Sequence, residues 1–189
     1  MAKPDVDANY WQGELVRLRA LAVEDAAAWL AEDADSEAIR GLNFGMELPK
    51  SAAMAEEWAA TFANFSKAEE FIFFSIETLA RDYVGNINIH GMDRRTGVFE
   101  TGTRIFRPYR GRGYALEAKR MVLRYAFQEL RFQKYNLRCL ETNDAIIRQA
   151  KRLGCREEGR IRRAAYTEGR YLDILLFGLT REEFDTTED

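Results

Sequence analysis

The sequence predicts an α/β fold (mixed α+β), with a mixed central sheet of about seven strands and helices on both faces. Three observations predict it. Short runs with strand-like patterning alternate with stretches of helical periodicity in the order β-α-α-β-β-β-α-β-α-β-β. A helix joins the fourth and fifth strand-like runs, so those two should lie parallel while hairpins elsewhere run antiparallel. A chain of 189 residues, 47% apolar and 31% charged, is long enough to bury one proper core.

Taken in order, Glu14–Ala20 alternates apolar and charged residues and reads as a half-buried strand. Val23–Ala34 reads as a helix, and Ser51 as the N-cap of a second helix running to about Phe65. Glu70–Thr78, Tyr83–His90 and Val98–Phe106 form an expected antiparallel meander, with hairpin loops at 79–82 and 91–97. A Gly-rich loop at Pro108–Gly113 opens a helix from Tyr114 to about Leu130. Its apolar positions Leu116, Val122, Leu123, Ala126, Phe127 and Leu130 face the core, opposite Glu117, Arg120, Arg124 and Gln128. Lys134–Thr142 is the next strand. Asn143 caps a short helix that ends near Leu153, with Gly154 at the C-cap. Arg156–Tyr166 and Tyr171–Leu179 close the chain as a hairpin, and both termini (1–9 and 185–189) read as loose polar ends.

The formal net charge of −3 argues against nucleic acid as the main partner. Cys139 and Cys155 imply no disulfide framework and suit the reducing cytoplasm. The N-terminus shows no secretory h-region, no apolar run approaches a membrane span, and one histidine with no His/Cys cluster gives no metal site.

The loop Arg107-Pro-Tyr-Arg-Gly-Arg-Gly-Tyr-Ala115 carries the chemistry. Gly111 and Gly113 allow close backbone approach, and amides at the start of the following helix converge on the same place, which suits a pyrophosphate. Arg110 and Arg112 add positive charge there. A dinucleotide fingerprint would need glycine where Leu116 stands, and no Gly-Lys-Ser/Thr occurs for a P-loop. Phosphate-backbone contacts by Arg107, Arg110 and Arg112 are the minority alternative.

Arg110-x-x-Gly113-x-Ala115 resembles the Arg/Gln-x-x-Gly-x-Gly/Ala motif of the GCN5-related N-acetyltransferases (GNAT). The flanking residues resemble the family's ribosomal-protein alanine acetyltransferase branch: Glu100-Thr-Gly102, Tyr125-Ala-Phe127, Asn143, Lys151-Arg-Leu-Gly154, Glu158-Gly159, Gly169–Asp173 and Leu15–Arg19. The resemblance implies a three-layer fold over one domain (10–184) whose fourth and fifth strands splay apart. It implies acetyl-CoA as co-substrate and a primary amine as acceptor, a protein N-terminus or a small molecule. No nucleic acid or membrane partner is expected, and a homodimer is compatible with it. By the same analogy Arg110, Gly111, Arg112, Gly113, Tyr114 and Ala115 hold the CoA pyrophosphate. Ile105 and Phe106 border the pantetheine arm, and Asn143 contacts the arm beyond.

Acetyl transfer needs a neutral amine, and an alkylamine of reference pKa about 10.4 must lose a proton first. Glu100, on the strand before the loop, is the candidate base, and a solvent-facing strand residue is the competing reading. Ile146 and Ala150 stand where the resembled proteins often carry a Ser or a Tyr as proton donor. Tyr166 and Tyr171, flanking the last hairpin turn, are the substitute candidates. His90 reads as a surface or edge histidine, Cys139 as core, and Tyr109 and Tyr114 as loop packing. Trp11, Trp29 and Trp58 read as core packing with an acceptor pocket as the alternative. The acidic residues Glu24, Asp25, Glu32, Asp33, Asp35 and Glu37 read either as a lure for a cationic amine or as a plain helix surface. The other functional reading is a non-catalytic acyl-CoA-binding module that senses the cofactor or a partner.

Overall fold

Apolar alternation and the turn residues between the runs produce one seven-stranded sheet in the order β1-β2-β3-β4-β5-β7-β6. The structure is a computed structural model that describes residues 9–65 and 68–188. The strands are β1 (Val16–Ala20), β2 (Ile72–Thr78), β3 (Tyr83–Asp93), β4 (Val98–Ile105), β5 (Lys134–Leu140), β6 (Arg156–Thr167) and β7 (Arg170–Thr180). Only β4 and β5 run parallel, and a helix joins them as expected.

The helices are α1 (Asp25–Ala31), α2 (Ser36–Asn43), α3 (Ala52–Phe62), α4 (Tyr114–Arg124), α5 (Asp144–Arg152) and α6 (Arg181–Glu188). Ser51 caps α3 by accepting from the Met54 N–H at 3.2 Å, and Asn143 caps α5 by accepting from the Ile146 N–H at 3.2 Å. Alternation along β2 explains why both sheet faces are covered. Ile72, Phe74 and Ile76 join the main core under α4, α5 and α6, while Phe73 points the other way into a second cluster under α1 and α3. Trp29 and Trp58 stack face to face at 4.7 Å against that second cluster, and Trp11 packs on Phe74 and Tyr125, so all three tryptophans are half-buried and pack against the core.

Two helices depart from the expected order. The Val23–Ala34 stretch ends as α1 plus a short 3-10 turn, after which Asp35 restarts the chain as α2, its carboxylate accepting from the Ala38 N–H at 3.2 Å. The C-terminal residues 185–188 are helical rather than loose. Thr180 and Glu183 form a capping box, and Phe184 is buried against Phe127 with ring centres 5.3 Å apart. The reading of 1–8 and of Asp189 as loose falls outside the described residues.

Glu117 also departs from the reading of its helix face. Its carboxylate reaches back to accept the N–H groups of Glu14, Leu15 and Val16 at 2.7–2.9 Å. One side chain of α4 therefore holds the entry to β1.

Candidate active site

β4 stays paired with β3 along its length but leaves β5 early. The last parallel partners are Glu100 and Asn136, and beyond them Thr101–Ile105 of β4 has no strand partner on the β5 side among the described residues. β5 meanwhile stays paired with β7 to Leu140. The result is a fork whose open stretch, Thr101–Ile105, spans roughly 13 Å of strand. The splay expected between the fourth and fifth strands is present.

A cavity of about 100 Å³ sits at the crotch of this fork. Its lining comes from both faces of the sheet, because side chains alternate along each strand. His90, Glu100, Gly102 and Arg138 contribute from one face, under Gly41, Leu42 and Phe44 of the α2 segment. Thr101, Thr103, Lys119, Leu137 and Ile146 contribute from the other, under α4 and α5. The crotch of the fork is therefore lined by groups from both faces of the sheet.

On the α2 face, Arg138 donates from Nε to the Glu100 carboxylate at 3.1 Å, which orients that carboxylate at the cavity wall. His90 stands opposite Glu100 in the β3–β4 register. It is not an edge histidine, since β3 is flanked by strands on both sides. Burial lowers its imidazole below the ordinary value, outweighing the pull of the Glu100 charge, so it is neutral at pH 7. Asn88 accepts the Gly102 N–H at 2.9 Å and fixes the β4 backbone between them.

On the α4 face, Lys119 is 2% exposed and points at the crotch. Its ammonium donates to the Tyr135 hydroxyl at 3.3 Å, and that hydroxyl and Thr101 Oγ1 are 3.0 Å apart. Desolvation pushes the Lys119 ammonium down to about 8. Further along the open strand, the Thr103 hydroxyl is buried with no partner among the described residues.

The Gly-rich loop lies past the open end of β4. Gly111 and Gly113 both adopt left-handed backbone, with φ of 77° and 88°. The first bonds of α4 run from the Leu116 and Glu117 N–H groups to the Gly113 carbonyl. The N–H groups of Gly111, Arg112, Gly113, Tyr114 and Ala115 donate to no acceptor among the described residues. A Cβ on Gly111 would meet nothing within 4 Å, so the loop is open on that side. Unpaired amides at the loop, an unpaired strand edge and an orphaned Thr103 hydroxyl fit the phosphates and the amide-bearing arm of CoA.

The arginines behave differently from the sequence reading. Arg110 donates to the Asp35 carboxylate and, at 3.0 Å, to the Ile105 carbonyl; Arg107 donates to Asp35 at 2.7 Å. One carboxylate thus ties both guanidiniums, and with them the loop, to the N-terminus of α2. All three arginines are exposed; Arg112 donates to the Pro108 carbonyl at 3.1 Å and lies over the Tyr109 ring at 5.6 Å. Burial alone would raise the Asp35 carboxyl, but donors from Arg107, the Ala38 N–H and Arg110 overrule it and hold the group well below the usual carboxylate range. Asp33 pairs with Lys50 and Arg104, and Asp25 with Arg19 and Ser75. These three aspartates are internal partners, neither a lure nor a plain surface.

Ile105 and Phe106 are buried, with the Phe106 N–H bonded to the Val84 carbonyl, while the β5 side of the strand end stays open. Tyr109, Tyr114 and Ala115 pack partly buried on the main core. The Asn143 amide lies close enough to α2 that a Cβ on Gly41 would meet its Nδ2 at 3.1 Å. Tyr166 and Tyr171 are exposed, in contact with each other at 4.9 Å, and do not line the cavity. Ile146 lines it and Ala150 is fully buried in the core, so neither supplies a proton. Cys139 and Cys155 are buried, and desolvation pushes both thiols up to about 11. Lys119 escaped the sequence reading although a signal was present: it interrupts the apolar stripe of α4 between Leu116 and Val122.

Comparison with known proteins agrees with this architecture. The acetyltransferase (GNAT) domain pattern matches residues 16–156. An SPbeta prophage-derived N-acetyltransferase, YokL of Bacillus subtilis (strain 168), is 37% identical over 177 residues, covering 94% of this chain and 96% of that protein. The solved spermidine N-acetyltransferase of Vibrio cholerae, in complex with CoA and spermine, superposes with a TM-score of 0.80 at 19% identity, covering 91% and 99% of the two chains. Mycobacterium smegmatis RimJ, in complex with CoA-disulfide, superposes with a TM-score of 0.76 at 21% identity, covering 89% and 83%. These two show a shared fold. With the family pattern spanning most of the chain and a relative above a third identical along nearly all of it, this chain belongs to the GNAT family and is an acetyl-CoA-dependent N-acetyltransferase.

Proposed function

We propose that this enzyme acetylates a primary amine at the end of a narrow chain, a protein N-terminus or a small-molecule amine, by direct attack in the β4–β5 fork. The observation that carries the reading is the cavity at the crotch, lined by ionisable groups from both faces of the sheet. Acetyl-CoA, when bound, supplies an acyl group activated as a thioester. The open amides of Gly111–Ala115 would hold its pyrophosphate, and the free edge at Thr101–Ile105, with Asn143 beyond, would hold its arm. The acceptor enters from the α2 face, between Phe44 and the sheet.

Glu100 serves as the base. Its carboxylate, steadied by Arg138, takes a proton from the incoming ammonium directly or through water. His90 favours a second reading, because its neutral imidazole faces the same space. Steady-state turnover with acetyl-CoA and a panel of peptides and small amines tests both. Glu100→Gln is expected to lower kcat by roughly 100-fold or more while CoA affinity stays within a few fold. Unchanged turnover in Glu100→Gln, with collapse in His90→Ala, would move the base to His90. Gly111→Val tests the cradle: its side chain enters the space the pyrophosphate needs, so acetyl-CoA binding by calorimetry should weaken at least about tenfold. A non-catalytic acyl-CoA sensor would bind CoA and release none above background with every amine offered.

A further inference from the structure

We propose that Lys119 is the group that hands a proton to the departing thiol, a catalytic residue on the donor side of the fork. This rests on the reading that acetyl-CoA enters the fork from the α4 face. The argument begins with position. α4 runs back from the Gly113 cradle toward the crotch, so its second turn brings Lys119 to the deep end of the open strand. The same end holds Glu100 on the opposite face, and the carbonyl that an amine attacks must lie within reach of both sides. Of the cavity side chains under α4 and α5, Lys119 is the one that titrates; Thr101, Thr103, Leu137 and Ile146 do not.

Chemistry points the same way. A buried ammonium with a single hydroxyl partner has donor capacity left over, and burial of that kind is unfavourable unless a ligand uses it. Desolvation brings Lys119 down to about 8, close to the reference value of about 8.5 for an alkyl thiol. Transfer between groups so matched is near thermoneutral, the condition for efficient acid catalysis near pH 7. The Tyr135 hydroxyl, itself bonded to Thr101, holds the ammonium at the crotch. Around it stand Cys139 and Tyr135 from β5, Cys155 after α5, and, across the cavity, His90 from β3, Glu100 from β4 and Arg138 from β5. The thiols stay protonated at neutral pH and cannot compete as acids of matching strength.

The step balances as follows. The incoming ammonium gives one proton to the base on the α2 face, and the neutral amine nitrogen then forms a bond to the acyl carbon as the carbonyl π pair moves to oxygen; as the carbonyl re-forms, the nitrogen gives its second proton to water. The carbon–sulfur bond breaks with its electron pair leaving on sulfur, and Lys119 Nζ transfers one proton to that sulfur. Lys119 leaves the step as a neutral amine and regains a proton from solvent before the next turnover.

Lys119→Met keeps the length of the side chain without its charge, and Lys119→Gln keeps a polar end. Both should bind CoA within a few fold of wild type and lose about 10- to 100-fold in kcat. Wild-type kcat should fall above about pH 8, where Lys119 loses its proton, and the variants should lack that limb. A second readout needs no turnover. In the wild-type complex the thiol of bound CoA, followed by thiolate ultraviolet absorbance, should ionise at lower pH than free CoA, and in the variants it should return to the free value. Unaltered kcat in both variants, an unmoved thiol ionisation, or loss of CoA binding in both would overturn the proposal. So would stable acetylation of Lys119 seen by mass spectrometry, because an amide carries no transferable proton. Failure of the wild-type enzyme to bind CoA would instead overturn the reading of the fork, and this proposal with it.

Discussion

At the scale of single residues, the buried charge on α4 has a measurable cost. Lys119 is drawn down from 10.5 to about 8 by desolvation, so the folded state disfavours its proton relative to the unfolded chain. Below pH 8 that difference costs roughly 3 kcal/mol of stability, and it fades as pH rises through 10.5, where both states are neutral. Lys119→Met should therefore raise the stability of the apoprotein at pH 7, by up to about that amount. The gain should shrink toward zero when the same urea titration is run near pH 10. Asp35 has the opposite sign. Its lowered carboxyl contributes stability above the ordinary carboxylate pKa, and that stability is lost as pH falls through the depressed value, so Asp35→Asn should weaken the fold at neutral pH and matter little in strong acid. Both residues illustrate what a linear reading misses. The α4 stripe announces Lys119 as an interruption, but only packing decides that it faces a fork rather than solvent.

Elements are joined here by a few charged side chains. Glu117 takes three backbone N–H groups of the chain entering β1, and Leu15 of that chain packs where a Cβ on Gly113 would meet its Cδ1 at 3.2 Å. Glu117 thus braces the loop as well as the strand. Glu117→Gln keeps the shape but loses the charge, and should destabilise by about 2 kcal/mol in urea unfolding while weakening acetyl-CoA binding more than it alters kcat. Asp35 plays the matching part on the other side, pinning Arg107 and Arg110 to α2. The strands and most helices were legible because their patterning and caps are local, as at Ser51, Asn143 and the 114–130 stripe. α2 and α6 were not. A capping Asp35 was hidden in an acidic run read as either a lure for a cation or a plain surface, and the Thr180–Glu183 box was hidden in a polar tail anchored by one aromatic, Phe184.

For the molecule as a whole, the fork sets the kinetic order. Direct attack at a cavity lined from both faces of the sheet requires both substrates to be present together, and the buried thiols, raised to about 11, are poor nucleophiles at pH 7. Initial-rate plots should therefore intersect, as for a ternary complex, and mass spectrometry after incubation with acetyl-CoA alone should find no acetylated cysteine. Parallel lines would contradict direct attack.

The sequence by itself determined the strand order around the loop, the parallel β4–β5 pair, the glycines of the cradle and the family, because these depend on neighbours in the chain and on motifs of fixed spacing. Tertiary structure alone decided which charges are free and which are already taken. It paired Arg110 with Asp35, placed His90 and Glu100 side by side, kept Tyr166 and Tyr171 out of the cavity lining, and buried Lys119 at its far wall. The reason is physical: a side chain's reactivity follows from its solvent and its partners, and residues such as Asp35 and Arg110, 75 positions apart, meet only when the chain folds.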